Sequence, residues 1–277
     1  MNGTDLSTVT TLIAIAAAAG VFGGILAGLL GVGGGIVIVP ALYFALSLTG
    51  SDPALTMQVA VGTSLATIVF TALSSSWGHY RRGALDMALL KRWAPAILAG
   101  VVIGGLLGGV VSGYILVAVF ATVAGLVALD MIFRNPGDGS LPRSFSPRVW
   151  AATGVFAGAI SAMMGIGGGT VCVPVLNFLG YDIRRAVGTS AAIGFVIGVP
   201  GTLIYTATGL GQNGLPPFSL GYVNLVAAAL IIPLTTSFAH VGVRIAHTIS
   251  QRALRLAFGV FLMLTSLRMF NDLIGAW

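Results

Sequence analysis

The sequence predicts an all-α integral membrane protein: an inverted-topology repeat of two five-segment halves, each with a glycine-rich re-entrant hairpin or broken helix pair. Three observations lead there. Hydrophobic residues make up 57% of the 277-residue chain and charged residues 7%, with a mean hydropathy of +1.02; soluble domains carry about 25% charged residues. Ten apolar segments fall five and five around one long polar linker. Finally, GVGGGIVIVP at 31–40 returns as GIGGGTVCVP at 165–174.

The apolar runs lie near 8–30, 35–48, 57–78, 93–111 and 114–133, then near 149–164, 170–180, 186–208, 219–243 and 253–274. Several approach the ~18–20 residues needed to cross a bilayer. The stretch RNPGDGSLPRSFSPR separates the two fives. The chain thus divides into a first transmembrane repeat at 1–133, a cytoplasmic linker at 134–148 and a second, inverted transmembrane repeat at 149–277. The N-terminal run MNGTDLSTVT lacks Lys and Arg, the positive start a secretory signal requires, so the first segment is expected to stay in the mature protein. AGLLGVGGGIVIVP (27–40) matches SAMMGIGGGTVCVP (161–174), and AVGTS recurs unchanged at 60–64 and 186–190. Two matched blocks in the same order read as an internal duplication.

Charge orients the segments. The chain has 12 Arg, one Lys, seven Asp and no Glu. Arg81, Arg82, Lys91 and Arg92 lie in loop 79–92; Arg134, Arg143 and Arg148 in the linker; Arg184 and Arg185 in loop 181–185; Arg244, Arg252 and Arg255 in 244–255. If the segments alternate, twelve of the thirteen cationic residues share one side, and only Arg268 lies near the other. The positive-inside rule makes that side cytoplasmic, with both termini facing out. It also accounts for the basic excess without nucleic acid. Five segments per half then insert the second half upside down, an architecture of many secondary transporters.

Trp77, Tyr80, Trp93 and Trp150 are expected in the interfacial belt, and Asp130, Arg134 and Arg268 near segment ends, where they can snorkel. His79 and His240 fall near cytoplasmic ends and His247 in a basic loop. Cys172 is the single cysteine and reads as a small buried hydrophobe. No acidic residue lies deep in a segment, so no carboxylate proton relay is visible, and catalytic groups are too sparse for an enzyme. No cofactor or metal is expected.

The glycine knots carry the functional expectation. Trp150–Met164 is 15 residues and Thr170–Gly180 is 11; the latter spans roughly 17 Å of a ~30 Å hydrocarbon core. Such pieces fit a hairpin whose GIGGG tip lies within the membrane, where irregular backbone is tolerated only against protein or a water-filled cavity. Each knot would then begin a half-helix whose free N–H groups and positive dipole end favour an anion. The candidate substrate-binding residues are Gly33, Gly34 and Gly35 in the first copy and Gly167, Gly168, Gly169 and Thr170 in the second. The repeated GTS adds Thr63, Ser64, Thr189 and Ser190, whose hydroxyls either donate to a bound oxyanion or bond back within and between helices. Asn177 lies in the second half-helix where Tyr43 stands in the first, and is a further candidate. The stripes Gly20, Gly24, Gly28 and Gly100, Gly104, Gly108 have the small-xxx-small spacing of helix contacts. A phosphate loop does not fit, because the third glycine of GxGxxG is missing and no GK[ST] follows.

GVGGG and GIGGG, each followed by an apolar run and proline, with AVGTS downstream in both halves, resemble the sulfite exporter TauE/SafE family over about residues 10–272. These are bacterial inner-membrane permeases for sulfur-containing anions and organosulfonates. The resemblance implies a secondary transporter, often an exporter, of a small anion such as sulfite, sulfoacetate or another organosulfonate, working by alternating access. The alternatives are an anion channel with a continuous pore, or an importer of a sulfur oxyanion such as thiosulfate. The partners expected are a small anionic substrate and the lipid bilayer. A coupling proton or ion and a homodimer stay open, and nucleic acid is not expected.

Overall fold

The computed structural model describes residues 6–31, 33–48, 52–133, 145–245 and 251–275. They form ten helices: α1 Leu6–Leu30, α2 Gly35–Ser47, α3 Pro53–Tyr80, α4 Met87–Val110, α5 Gly113–Phe133, α6 Pro147–Met164, α7 Gly168–Phe178, α8 Ile183–Gly209, α9 Leu225–Ile245 and α10 Gln251–Gly275. Each predicted segment corresponds to one helix. Several helices begin three to six residues before the apolar run, because an aspartate caps them. Asp52 Oδ1 accepts from the Ala54 N–H at 2.9 Å, Asp86 Oδ1 from Leu89 at 3.0 Å and Asp182 Oδ2 from Arg184 at 3.0 Å, which satisfies first-turn donors. The ninth segment is the exception. Residues 219–224 form an antiparallel hairpin, β1 Ser219–Leu220 with β2 Val223–Asn224, and the helix starts only at Leu225.

Among the described residues, α1, α3, α4, α5, α8, α9 and α10 are long and apolar enough to cross a membrane, whereas α2 and α7 are short apolar helices of 13 and 11 residues. Helices α3 and α8 pack on each other at the centre, and 72% of the spanning window of α3 is buried. Helix α2 lies on α3 and α7 on α8. The outer helices cross between the halves: α1 packs on α9, α4 on α6, and α5 on α10. Under the correspondence set by the sequence repeat (α1 with α6, α2 with α7, and so on) each of these contacts has its counterpart.

The glycine stripes serve this cross-packing. A Cβ on Gly24 would lie 2.7 Å from the Thr235 carbonyl oxygen of α9, and one on Gly104 would run into the Ala159 backbone of α6. Gly104→Leu is therefore expected to cost about 3 kcal/mol or more, since overpacking a tight contact costs about 1–3 kcal/mol even for small additions. A thermal melt of the purified protein checks this.

Two of the four aromatic expectations are corrected. Trp93 and Trp150 are 0% and 7% exposed, with ring centroids 6.1 Å apart and planes at 88°. Trp93 Nε1–H donates to the Trp150 carbonyl at 3.1 Å, and the Arg92 guanidinium lies 4.7 Å from the Trp150 centroid. They belong to the α4–α6 contact, where a buried indole finds its acceptor. Trp77 and Tyr80 are exposed and stacked on each other. Arg268 pairs with Asp272 at 3.5 Å. Arg134, Arg143 and His247 lie outside the described residues.

Candidate functional site

Each short helix starts from its glycine knot. Gly34 is the N-cap of α2 with φ 77°, and Gly167 is the N-cap of α7 with φ −69° and ψ 172°. Neither start has a side-chain cap on its first-turn amides. The knots are buried, and they meet. A Cβ on Gly33 would lie 3.1 Å from Gly167 Cα, and one on Gly35 would lie 2.9 Å from Ile166 Cα. Both would also press on Ile68 of α3. Gly168 sits against α8, 2.8 Å from the Ser190 carbonyl oxygen at a built Cβ. The backbone of one copy thus touches the backbone of the other in the protein interior, at a closeness only glycine permits.

The remaining predicted residues divide. Gly34 packs on its own half, its Cβ position 2.7 Å from the Gly23 carbonyl oxygen of α1. Gly169 is buried in the first turn of α7. Ser64 Oγ donates to the Gly165 carbonyl at 2.7 Å, a bond from α3 to the second knot. The two threonines act elsewhere: Thr63 Oγ1 accepts from the Asn224 N–H at 2.8 Å, and Thr189 Oγ1 from the Asp86 N–H at 3.0 Å. Asn224 Oδ1 in turn accepts from Ala227 N–H at 2.9 Å. Asn224 and Asp86 cap α9 and α4, so each GTS threonine fixes the cap of a helix in the opposite half. Each threonine accepts one bond there. Asn177 lies near the C-terminal end of α7, about 13 Å along the axis from Gly168, and the fold does not bring it to the knots.

The second knot is the more polar. Ser161, Thr170 and Ser190 are 0%, 4% and 0% exposed, and their hydroxyl oxygens have no hydrogen-bond partner among the described residues. Ser161 precedes the knot and its carbonyl accepts from Ile166 N–H at 3.1 Å, Thr170 stands in the first turn of α7, and Ser190 backs Gly168. A buried unpaired hydroxyl costs about 1–3 kcal/mol, so three around one helix N-terminus ask for a ligand. Ser161 was not among the expected residues. Its signal is in the repeat, since SAMMGIGGGT places Ser161 and Thr170 where AGLLGVGGGI has Ala27 and Ile36. Among the described residues no group of three or more His, Cys, Asp or Glu could hold a metal ion.

Seven of the described helices, able to span and packed around a buried glycine junction, make a multi-pass membrane protein, and the relatives are described as membrane transporters. A "Probable membrane transporter protein" of Haemophilus influenzae is 33% identical over 260 residues, covering 94% of this chain and 98% of that protein. Proteins with the same description from Methanocaldococcus jannaschii and Bacillus subtilis are 28% and 26% identical, over 84% and 77% of this chain and 86% and 81% of their own. No solved structure gives a significant match. The family model of the sulfite exporter TauE/SafE proteins matches residues 16–269, and the chain belongs to that family.

Proposed function

We propose that this transporter exports a small sulfur-containing anion, such as sulfite, sulfoacetate or another organosulfonate, by alternating access between two oppositely inserted halves. The observation that carries the reading is the contact of the two knots. One short helix from each copy points its N-terminus at a shared buried junction, and such termini favour anions. The reciprocal contacts of α1 with α9 and α6 with α4 support a pseudo-twofold relation between the halves. The loop charges support opposite insertion, with the basic loops on the cytoplasmic face of an inner membrane. Because the knots touch, an anion has to part them, and the movement of one half against the other opens the junction to each side in turn. The bound anion is held by first-turn amides of α7 and by Thr170, Ser190 and Ser161.

Purified protein in liposomes, offered sulfite, sulfoacetate, thiosulfate, taurine and sulfate with and without a pH gradient, tests the reading. Saturable flux of a sulfur oxyanion or sulfonate is expected. Absence of flux for every anion would sink it, and flux without saturation or coupling would favour a channel.

A further inference from the structure

Two helix contacts related by the repeat, α3 with α9 and α8 with α4, flank the junction, and they differ in chemistry. On one side α3 packs against α9. Ser64, Thr67, Thr71 and Ser75 recur on α3 at three- and four-residue spacing, all 0% exposed, so they share one face over about 16 Å. Thr71 Oγ1 donates to Thr235 Oγ1 of α9 at 2.8 Å. Ser74 Oγ donates to the Thr236 carbonyl at 2.9 Å and lies 2.9 Å from His240 Nδ1. The buried hydroxyl oxygens of Ser75 and Thr236 have no partner among the described residues. Beyond Ser75, one turn on, lies an open surface pocket of about 260 Å³ lined by Trp77, Arg81, Arg82, His240 and Arg244. Among the described residues no carboxylate forms an ion pair with these three arginines.

On the other side α8 packs against α4, and the repeat supplies a comparison position by position. Thr67, Thr71 and Ser75 correspond to Ile193, Ile197 and Gly201, counted from AVGTS. Counted from the caps Asn224 and Asp86, Thr235, His240 and Arg244 correspond to Ile97, Val102 and Leu106. Helix packing therefore does not require the polar residues, because the same helix pair is built without them. The positive-inside rule asks for cations on this face, but not for three of them around one pocket beyond a hydroxyl stripe.

We propose that this cavity is the loading site for the transported oxyanion on the basic face, and that the α3 hydroxyls lead from it to the knots. The inference rests on the transport reading above. Guanidinium groups bind oxyanions through paired N–H donors. Thr67 and Thr71 donate to the Ser64 and Thr67 carbonyls at 2.7 and 2.9 Å, and a passing anion would take over these donors. The α8–α4 contact has no such stripe: its equivalent positions are apolar, and the hydroxyls of Tyr205 and Thr208 lie against Gly108 and Gly109 at its far end.

Sulfite flux in proteoliposomes, started from either face, tests the proposal. The triple variant Arg81→Gln, Arg82→Gln, Arg244→Gln is expected to raise KM about tenfold or more for flux from the basic face and to leave it within about twofold from the other. Arg→Lys at the same three positions keeps the charge that orients the chain, and is expected to give a smaller rise in the same direction. Arg184→Gln with Arg185→Gln, which removes two charges on the same basic face but outside the pocket, should leave KM unchanged. An unchanged KM in both arginine variants, with wild-type flux present, overturns the loading site and leaves the transport reading standing. No flux of any anion in the wild type removes the transport reading and the loading site with it. Trp77 fluorescence separates the two sources of an oxyanion: a response to sulfite supports loading. A response only to short-chain phosphatidylglycerol, lost in the triple variant, makes the cavity a lipid-headgroup site and overturns the proposal.

Discussion

Gly34→Val is expected to abolish flux by unfolding the first knot, whereas Gly168→Val is expected to abolish it in a protein that still folds. By sequence position the two glycines are equivalents; their surroundings separate them. Gly34 holds φ 77° at the cap of α2, and a Cβ there would lie 2.7 Å from the Gly23 carbonyl oxygen and 3.0 Å from its carbon. Left-handed backbone costs an L-residue about 1–2 kcal/mol, and forcing a side chain into backbone adds about 1–3 kcal/mol. The sum is a large fraction of the ~5–15 kcal/mol that holds most proteins together. Gly168 is already helical, and its Cβ would meet the Ser190 carbonyl oxygen at 2.8 Å and the Ile193 side chain at 2.9 Å. Valine there pushes α7 off α8 and moves the helix N-terminus without straining φ. Thermal unfolding and sulfite flux measured on both variants check the pair. Wild-type flux in Gly168→Val would take the junction out of the mechanism.

The double variant Thr170→Val, Ser190→Ala is expected to lose transport while keeping or gaining stability. Both hydroxyls are buried and have no partner among the described residues, so removing them from the empty protein removes a desolvation cost of about 1–3 kcal/mol each rather than a bond. A bound anion, in contrast, would lose two charge-assisted hydrogen bonds worth about 1.5–3 kcal/mol each, so the apparent affinity for sulfite should fall at least tenfold. Ser64→Ala supplies the opposite control. Its hydroxyl donates to the Gly165 carbonyl at 2.7 Å, and its loss should destabilise the protein. If the double variant melts lower and transports normally, the second knot is structural.

The ten helices were legible because a membrane span writes itself as a long apolar run, and an aspartate ahead of such a run would have corrected three of the starts. The hairpin at 219–224 was not legible, since Leu220, Tyr222 and Val223 are as apolar as the helix that follows. Trp93 and Trp150 misled for a related reason: an aromatic near a segment end fits the lipid interface as well as a helix contact, and only the partner helix decides. At the site, the doubled motif marked the glycines and the GTS blocks. It did not divide Thr63 and Thr189, which hold caps across the halves, from Ser64, which bonds to the second knot, and Ser190, whose backbone backs Gly168, because neighbours on one helix face different elements. Asn177 looked near the knot in sequence but is more than two helical turns away. The differences between the two copies, Ser161 against Ala27 and Thr170 against Ile36, carried more chemistry than their identities.

The crossing of α1 onto α9 sets a timetable for biogenesis. More than 200 residues separate the end of α1 from the end of α9, and at about 5–20 residues per second a ribosome needs about 10–40 s to make them. During that interval Gly20, Gly24 and Gly28 have no partner, and α4 waits in the same way for α6 across the linker. A nascent chain stopped after the first five helices would hold two adhesive glycine faces in lipid with nothing to close them. The first five helices and the last five are thus mutually dependent: each set is completed by helices the other supplies, and neither would be synthesised alone without leaving exposed a face made to be covered.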